Sequence, residues 1–418
     1  MAGAERAGRY QTTSGGSGGM VGNRLRIGLI GVGLAAAGVW GSPVTARAQG
    51  AASDSATLID VVAVRARATA ASIDSQAAQA RRGRAATARP DPGLSLYLGA
   101  VVQLNHMHFD SALVPLQAAA TVSKDVARYH GDLAYALASL GRMDDAANEY
   151  LAAVRLQAAN PWYYVGLAIV RSNQERWQEA AANFTLAYAT DSTILNPQLV
   201  TAASLASERA GDEPGLFEWA QRGTVKFPDL PGPWLRLASL LRSRSDTVRG
   251  LAAARRYHAL RPNDRLGDAV LALYLIDVGQ NDTAADLAIE AGKDTAYRQY
   301  AAPILLRLGA TWLSNRQYDP AARALSEGLA IAPPNLHPRF VFYLSYANLQ
   351  RLVPMYTAAV PKHDCDAAHV VDSLLTQVDH GFHESVAQDS AQVTHILNDI
   401  LPNIHTRVGE FVQQCNRR

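Results

Sequence analysis

The stretch "GRMDDAANEYLAAVRL" (Gly141–Leu156) is echoed 34 residues later by "ERWQEAAANFTLAYAT" (Glu175–Thr190). Ala146 falls on Ala180, Tyr150 on Phe184 and Ala153 on Ala187. Steps of four and three residues place these positions on one helical face. A period near 34 with Ala-x3-aromatic in its second half marks an array of helix-turn-helix units. Such an array offers an extended surface rather than a reaction centre.

With Ala146 and Ala180 at position 20 of each unit, the frame steps backward onto Ala112, with Leu116 and Ala119 below it. Forward, the register slips by two residues, and the next unit, Pro197–Leu230, keeps Gly211 at its turn and Pro228 at its end. Pro228 and Pro262 are again 34 apart, and "WLRLASLL" (Trp234–Leu241) has the Trp-x2-Leu-Ala-x2-Leu spacing of a first helix. After an insertion of three, Gly309, Ala321, Leu325 and Pro333 mark the last unit. Leu216 and Gly250 at position 20 depart from the pattern, as do the second and third units, which lack the closing proline.

On these residues, Ala180-x3-Phe184 and Trp234-x2-Leu237-Ala238 above all, residues 93–335 resemble the tetratricopeptide repeat family, with about seven units. The resemblance implies an all-α fold, a right-handed α-solenoid of tetratricopeptide-type repeats. Small residues at positions 8, 20 and 27, such as Ala134, Ala146 and Ala153, let the helices of a unit approach, and large ones at 24 fill the space toward the next unit.

In this family the first helices line the concave face, and the resemblance points positions 2, 5, 9 and 12 into it. The expected partner-binding groove therefore comprises Tyr97, Val101 and Leu104, Arg128 and Tyr135, Trp162 and Ile169, Leu205, Leu235 and Arg242, and Leu273. It reads as mainly apolar, with three charges at Arg128, Glu208 and Arg242. Family members that clamp a terminal carboxylate do so with Lys and Asn on these stripes, and neither stands there. An apolar groove suits an amphipathic helix or extended apolar segment, with a few aromatic anchors supplying most of the affinity. The alternative is that the stripe packs on adjacent helices or on the chain's own C-terminal segment.

Upstream, Asn23–Ala48 reads as a secretory signal: Arg24 and Arg26, an apolar or small run over Ile27–Trp40, then Ala46-Arg47-Ala48 before Gln49. Residues 1–48 are thus expected to be removed by cleavage after Ala48, giving a periplasmic or secreted protein with no stable membrane span. Met20 is the expected start, since residues 1–19 are Gly/Ser-rich and polar. Removing this segment takes five Arg and one Glu, so a formal charge of +2 becomes about −2 and no basic face for nucleic acid remains. Residues 49–92 read as an N-terminal helix, beginning near Thr57, and a linker ending in "ARPDPG".

Residues 336–418 leave the repeat pattern and are expected to form a helical capping region, with helices near 366–379 and 387–414 and a kink or break at Pro402. The two cysteines, Cys365 and Cys415, bracket those helices, and an even count in an exported chain suggests a disulfide. Six of the eleven histidines also lie there: His363, His369, His380, His383, His395 and His405. His380-x2-His383 has helical ligand spacing, although Gly381 between them argues for a turn.

After the signal segment, no Gly-rich phosphate loop, Gly-x-Ser-x-Gly elbow or His-Glu-x-x-His is present. The reading is a non-enzymatic exported scaffold with no cofactor, binding another protein or peptide of the cell envelope. Two alternatives stay open: a metal-dependent enzyme or accessory subunit using the C-terminal histidines, and a structural subunit binding through its convex face.

Overall fold

The structure, a computed structural model, describes residues 91–385 and 390–417. The signal segment expected over residues 1–48 and the leader helix expected from Thr57 lie outside the described residues.

The described chain is α-helical. Helices pair as α1 (Leu94–Asn105) with α2 (Phe109–Val122), α3 (Ala127–Ser139) with α4 (Met143–Leu156), and α5 (Pro161–Asn173) with α6 (Trp177–Thr190). There follow α7 (Pro197–Ala210) with α8 (Glu213–Lys226), α9 (Pro231–Ser243) with α10 (Thr247–Leu260), α11 (Arg265–Asp277) with α12 (Asn281–Gly292), and α13 (Arg298–Ser314) with α14 (Tyr318–Ala330). This is the α-solenoid of tetratricopeptide-type repeats. Both breaks in register have a structural cause, since short 3₁₀ turns, Ser192–Ile194 and Thr295–Tyr297, take up the extra residues between units.

One backbone feature fixes the register independently of packing. The turn between the two helices of each pair holds a residue at positive φ at position 15: Met107, Gly141, Glu175, Gly211, Ser245, Gly279 and Arg316. Only three of these are glycine. At the others the left-handed conformation costs about 1 to 2 kcal/mol, which the packing on either side must offset. Helix starts have local causes as well: the Asn160 side chain accepts from the Trp162 amide at 3.1 Å, with Pro161 in the first turn where its missing N–H is no loss.

Ala112, Ala119, Ala146, Ala153, Ala180 and Ala187 are all fully buried. The large residues at position 24, Leu116, Tyr150 and Phe184, are buried with them. Tyr150 reaches onto the next first helix at Gly166, where an added Cβ would stand 2.3 Å from its ring. Gly250, a departure in the sequence, turns out to be a compensation: the Tyr274 ring occupies the space an alanine Cβ would need, 2.1 Å from its hydroxyl. That hydroxyl donates to the Ala238 carbonyl at 2.5 Å.

The described residues form two compact units, one of residues 91–311 with 323–340, the other of residues 312–322 with 341–417. The second contains the latter part of α15 (His337–Ala359), then α16 (Cys365–Glu384), α17 (Ser390–His395) and α18 (Leu401–Asn416). Its core gathers Phe342, Leu352, Val371, Leu375, Phe382 and Ile404. One local expectation is corrected there. Gly381 makes no turn but lies buried within α16, where a Cβ would meet Ser345 Oγ at 2.0 Å, so it serves close helix approach. The helix expected over 387–414 is interrupted next to Pro402, as expected: a π-helical turn, Ile396–Ile400, follows α17, and α18 begins at Leu401 with the proline in its first turn, where its missing N–H is no loss. Cys365 and Cys415 are joined, their Cα atoms 5.5 Å apart, closing a segment of 50 residues.

Two predictions follow from this packing. Gly166→Ala should destabilise the protein by about 1 to 3 kcal/mol, because the buried Tyr150 ring would have to move aside, whereas Gly409→Ala, in α18 with nothing within 4 Å, should stabilise it by about 0.5 to 1 kcal/mol. Thermal melts followed by circular dichroism read both, and shifts of the same sign would refute the packing argument. Reduction of the disulfide should remove about 2 to 4 kcal/mol from its unit. Alkylation before and after reduction, read by intact mass, and hydrogen exchange should show faster exchange in α16 and α18 and none in α3 to α6; unchanged exchange would mean that the bond contributes nothing.

Candidate partner-binding face

First helices of neighbouring pairs approach one another directly, α3 with α5, α7 with α9, and α9 with α11. Their shared side is the face on which the expected groove residues lie. It divides those residues into two sets. Tyr97, Leu104, Tyr135, Ile169 and Leu273 are buried, whereas Val101, Arg128, Trp162, Leu205, Leu235 and Arg242 are partly exposed.

The buried set forms a floor wedged between helices. Tyr97 stacks at 4.5 Å on Tyr129, and its hydroxyl donates to Asp132 Oδ2 at 2.5 Å. Burial, followed by the charge of and the hydrogen bond to Asp132, pushes the Tyr97 phenol well above its ordinary pKa. Tyr135 meets Phe109 edge-on at 5.5 Å, and burial raises its pKa too. A Tyr97→Ala substitution would therefore open the core rather than remove a surface contact. Arg128 lies 5.3 Å from both the Tyr97 and the Tyr129 rings, a cation–π arrangement that covers this floor.

Toward the later pairs the face becomes polar. Arg236 Nε is 3.3 Å from Glu208, and Asp277 is shared by Arg242 at 2.6 Å and Arg307 at 2.9 Å. Each bond runs between first helices of successive pairs. The expected count of three charges is thus too low: Asp132, Arg236, Asp277 and Arg307 belong to the same face. They occupy positions 6 and 13, one i+4 step from positions 2 and 9, and extending the stripe by that step is the signal that would have found them.

The first unit also contains a partly buried acidic anchor at its start. Asp91 accepts from the Gly93 amide at 3.0 Å, from Ser123 Oγ at 2.6 Å and from the Tyr129 hydroxyl. Desolvation opposes its charge, but these hydrogen bonds and nearby Arg128 prevail and hold the carboxyl below its ordinary pKa.

Of the C-terminal histidines only two share a partner, His383 Nδ1 at 3.7 Å and His405 Nε2 at 3.8 Å from Asp379 Oδ1. His363, His369, His380, His383, His395 and His405 are exposed, and Cys365 is committed to its disulfide. His395 Nδ1 is 2.6 Å from Asp399, and His383 Nδ1 is 2.9 Å from the Asp379 carbonyl. Among the described residues no group of three or more His, Cys, Asp and Glu is placed to hold a metal ion. His106 and His108 flank Met107 in the α1–α2 turn and are exposed. A depression beside α6, lined by Gln178, Ala181, Thr185 and Leu186 with Ala210 and Asp212, brings together no acid–base pair or nucleophile. Among the described residues no helix is long and apolar enough to cross a membrane.

No protein-family model matches the chain. No curated protein matches it either. Among solved structures, it is similar to YrrB, described as a TPR protein with an unusual peptide-binding site, at 15% identity over 44% of this chain and 95% of that one, with a TM-score of 0.40. PilF of Pseudomonas aeruginosa is similar at 16% identity over 50% of this chain and 97% of that one, TM-score 0.38. The C-terminal part of a TPR repeat-containing protein from Cytophaga hutchinsonii is similar at 12% identity over 59% and 99%, TM-score 0.43. The fold itself stands on the helix pairs, their 34-residue spacing and the positive-φ turn that recurs at position 15.

Proposed function

We propose that this protein is an exported, non-enzymatic scaffold that holds another protein or peptide of the cell envelope against its first-helix face. The observation that carries the reading is the row of partly exposed Val101, Trp162, Leu205 and Leu235, interleaved with Arg128 and Arg242 over a tyrosine-rich floor. Apolar side chains supply the buried contact area that anchors a partner, and the arginines give it orientation. The reading needs no cofactor. Export is inferred from the sequence over Asn23–Ala48 and from the presence of two cysteines positioned to pair.

A photo-crosslinking residue at position 162 or 235 should capture one discrete envelope protein in cells, and a crosslinker at Leu186, exposed on a second helix, should not. Leu235→Arg should weaken that capture at least roughly tenfold, as loss of a central apolar anchor does, while leaving helix content unchanged. Capture from 186 alone would move the binding surface to the second helices, and a mature protein retained in the cytoplasm with residues 1–48 attached would overturn the export reading.

A further inference from the structure

His130 is a titratable group that the partner-binding face does not use. It stands in the first turn of α3 with its side chain 13% exposed. Its Nδ1 is 2.7 Å from Glu149 Oε2 on α4, and its Nε2 is 3.1 Å from the Lys124 carbonyl, in the connection between α2 and α3. An ionised carboxylate and a carbonyl can only accept, so a ring carrying two protons is needed to satisfy both. A neutral imidazole has one N–H and gives one bond up. It keeps the stronger, charge-assisted bond to Glu149, which leaves the bare Nε2 lone pair facing the Lys124 oxygen.

The surroundings favour that second proton. The hydrogen bond to Glu149 is the largest influence on the ring, and the Lys124 carbonyl and the Glu149 charge add to it. Desolvation and Arg155, also on α4, oppose it without prevailing, so the pKa lies above its ordinary value. On α2 the one charge is Asp110, at the end remote from Lys124. The first unit is fastened to the same place. Ser123, next to Lys124, accepts from the Gly93 amide at 3.1 Å and donates to Asp91. Tyr129, next to His130, donates to that carboxylate too, and Tyr97 of α1 donates to Asp132. The start of α1 is therefore held by the α2–α3 connection and the first two turns of α3. His130 ties those two to each other and to α4.

We propose that His130 is a proton-dependent latch: the doubly protonated ring clamps the α2–α3 connection to α3 and α4, and loss of its Nε2 proton releases the connection and slackens the hold on the first unit. The sign follows from the raised pKa. The latch contributes fully below the ordinary histidine value and is lost as pH rises through the raised one. The equivalent residue is Tyr164 in the third unit and Val200 in the fourth, so the effect belongs to this junction.

Nuclear magnetic resonance of the full chain, with the His130 ring assigned through its own backbone amide, should give a titration midpoint above the ordinary value of about 6.5. Glu149→Gln, which leaves an acceptor beside the ring but removes the charge, should lower that midpoint. Hydrogen exchange reads the release. Amide protection in residues 94–105 and 123–130, corrected for intrinsic rate, should fall at least roughly tenfold between about pH 5.5 and about pH 8.5, while that of α5 and α6 holds. In His130→Gln the fall should be absent. A midpoint at or below about 6.5, a midpoint unmoved by Glu149→Gln, or equal protection at the two pH values would each overturn the latch, as would the same fall in His130→Gln. Should His130→Gln not fold, the parent and Glu149→Gln decide the matter between them.

Discussion

Everything in the array depends on how closely a second helix can approach the first helix that follows it. In the first three units alanine at positions 20 and 27 removes side-chain bulk from the approaching surface, and a single large residue at position 24, Leu116, Tyr150 or Phe184, fills what remains. Tyr150 over Gly166 is the clearest instance, since the ring tip sits where a side chain would otherwise begin. The same volume can be moved across the interface, as at Gly250 and Tyr274, where the helix that normally contributes the alanine contributes nothing and its neighbour contributes a tyrosine. Close packing of this kind conserves volume rather than residue identity.

That economy explains the character of the first-helix face. When helices approach closely on one side, the aromatic residues there are drawn inward, and Tyr97 and Tyr135 become core residues with their hydroxyls near Asp132 and Ser139 rather than in water. What reaches the surface is the ring of residues around them. The charges follow the same logic: Arg242, Asp277 and Arg307 are partly exposed and bonded across successive units, so each guanidinium is oriented before any partner arrives. Exposed pairs of this kind add little stability, of the order of 0 to 1 kcal/mol each. Their value lies in fixing where positive charge is displayed.

Much of the fold was legible in the sequence because period and residue size are local properties. Ala146 on Ala180 and Tyr150 on Phe184 sufficed to place helices and turns, and even the two- and three-residue slips proved to be short 3₁₀ turns. Depth was harder to read. A stripe drawn at positions 2, 5, 9 and 12 gives direction around a helix but not distance from its axis, so it could not separate Tyr97 from Val101. Nor could it reach Asp277 or Arg307, whose place on the face comes from partners some 30 to 35 residues away. In the C-terminal unit, Gly381 was read by its usual effect on an isolated helix, whereas tertiary contact with Ser345 decided the outcome.

The bond between Cys365 and Cys415 sets an order on assembly. Repeats in the array contact their immediate neighbours, so each can form as soon as about 34 further residues have emerged, and arrays of local contacts fold quickly. The sulfur of Cys365 has to wait for 50 more residues before its partner exists. Until then α16 must hold its place by apolar contact alone, and a free thiol is exposed to any oxidant or foreign cysteine it meets. The solenoid is thus built progressively along the chain, whereas the unit after it is sealed in one late chemical event.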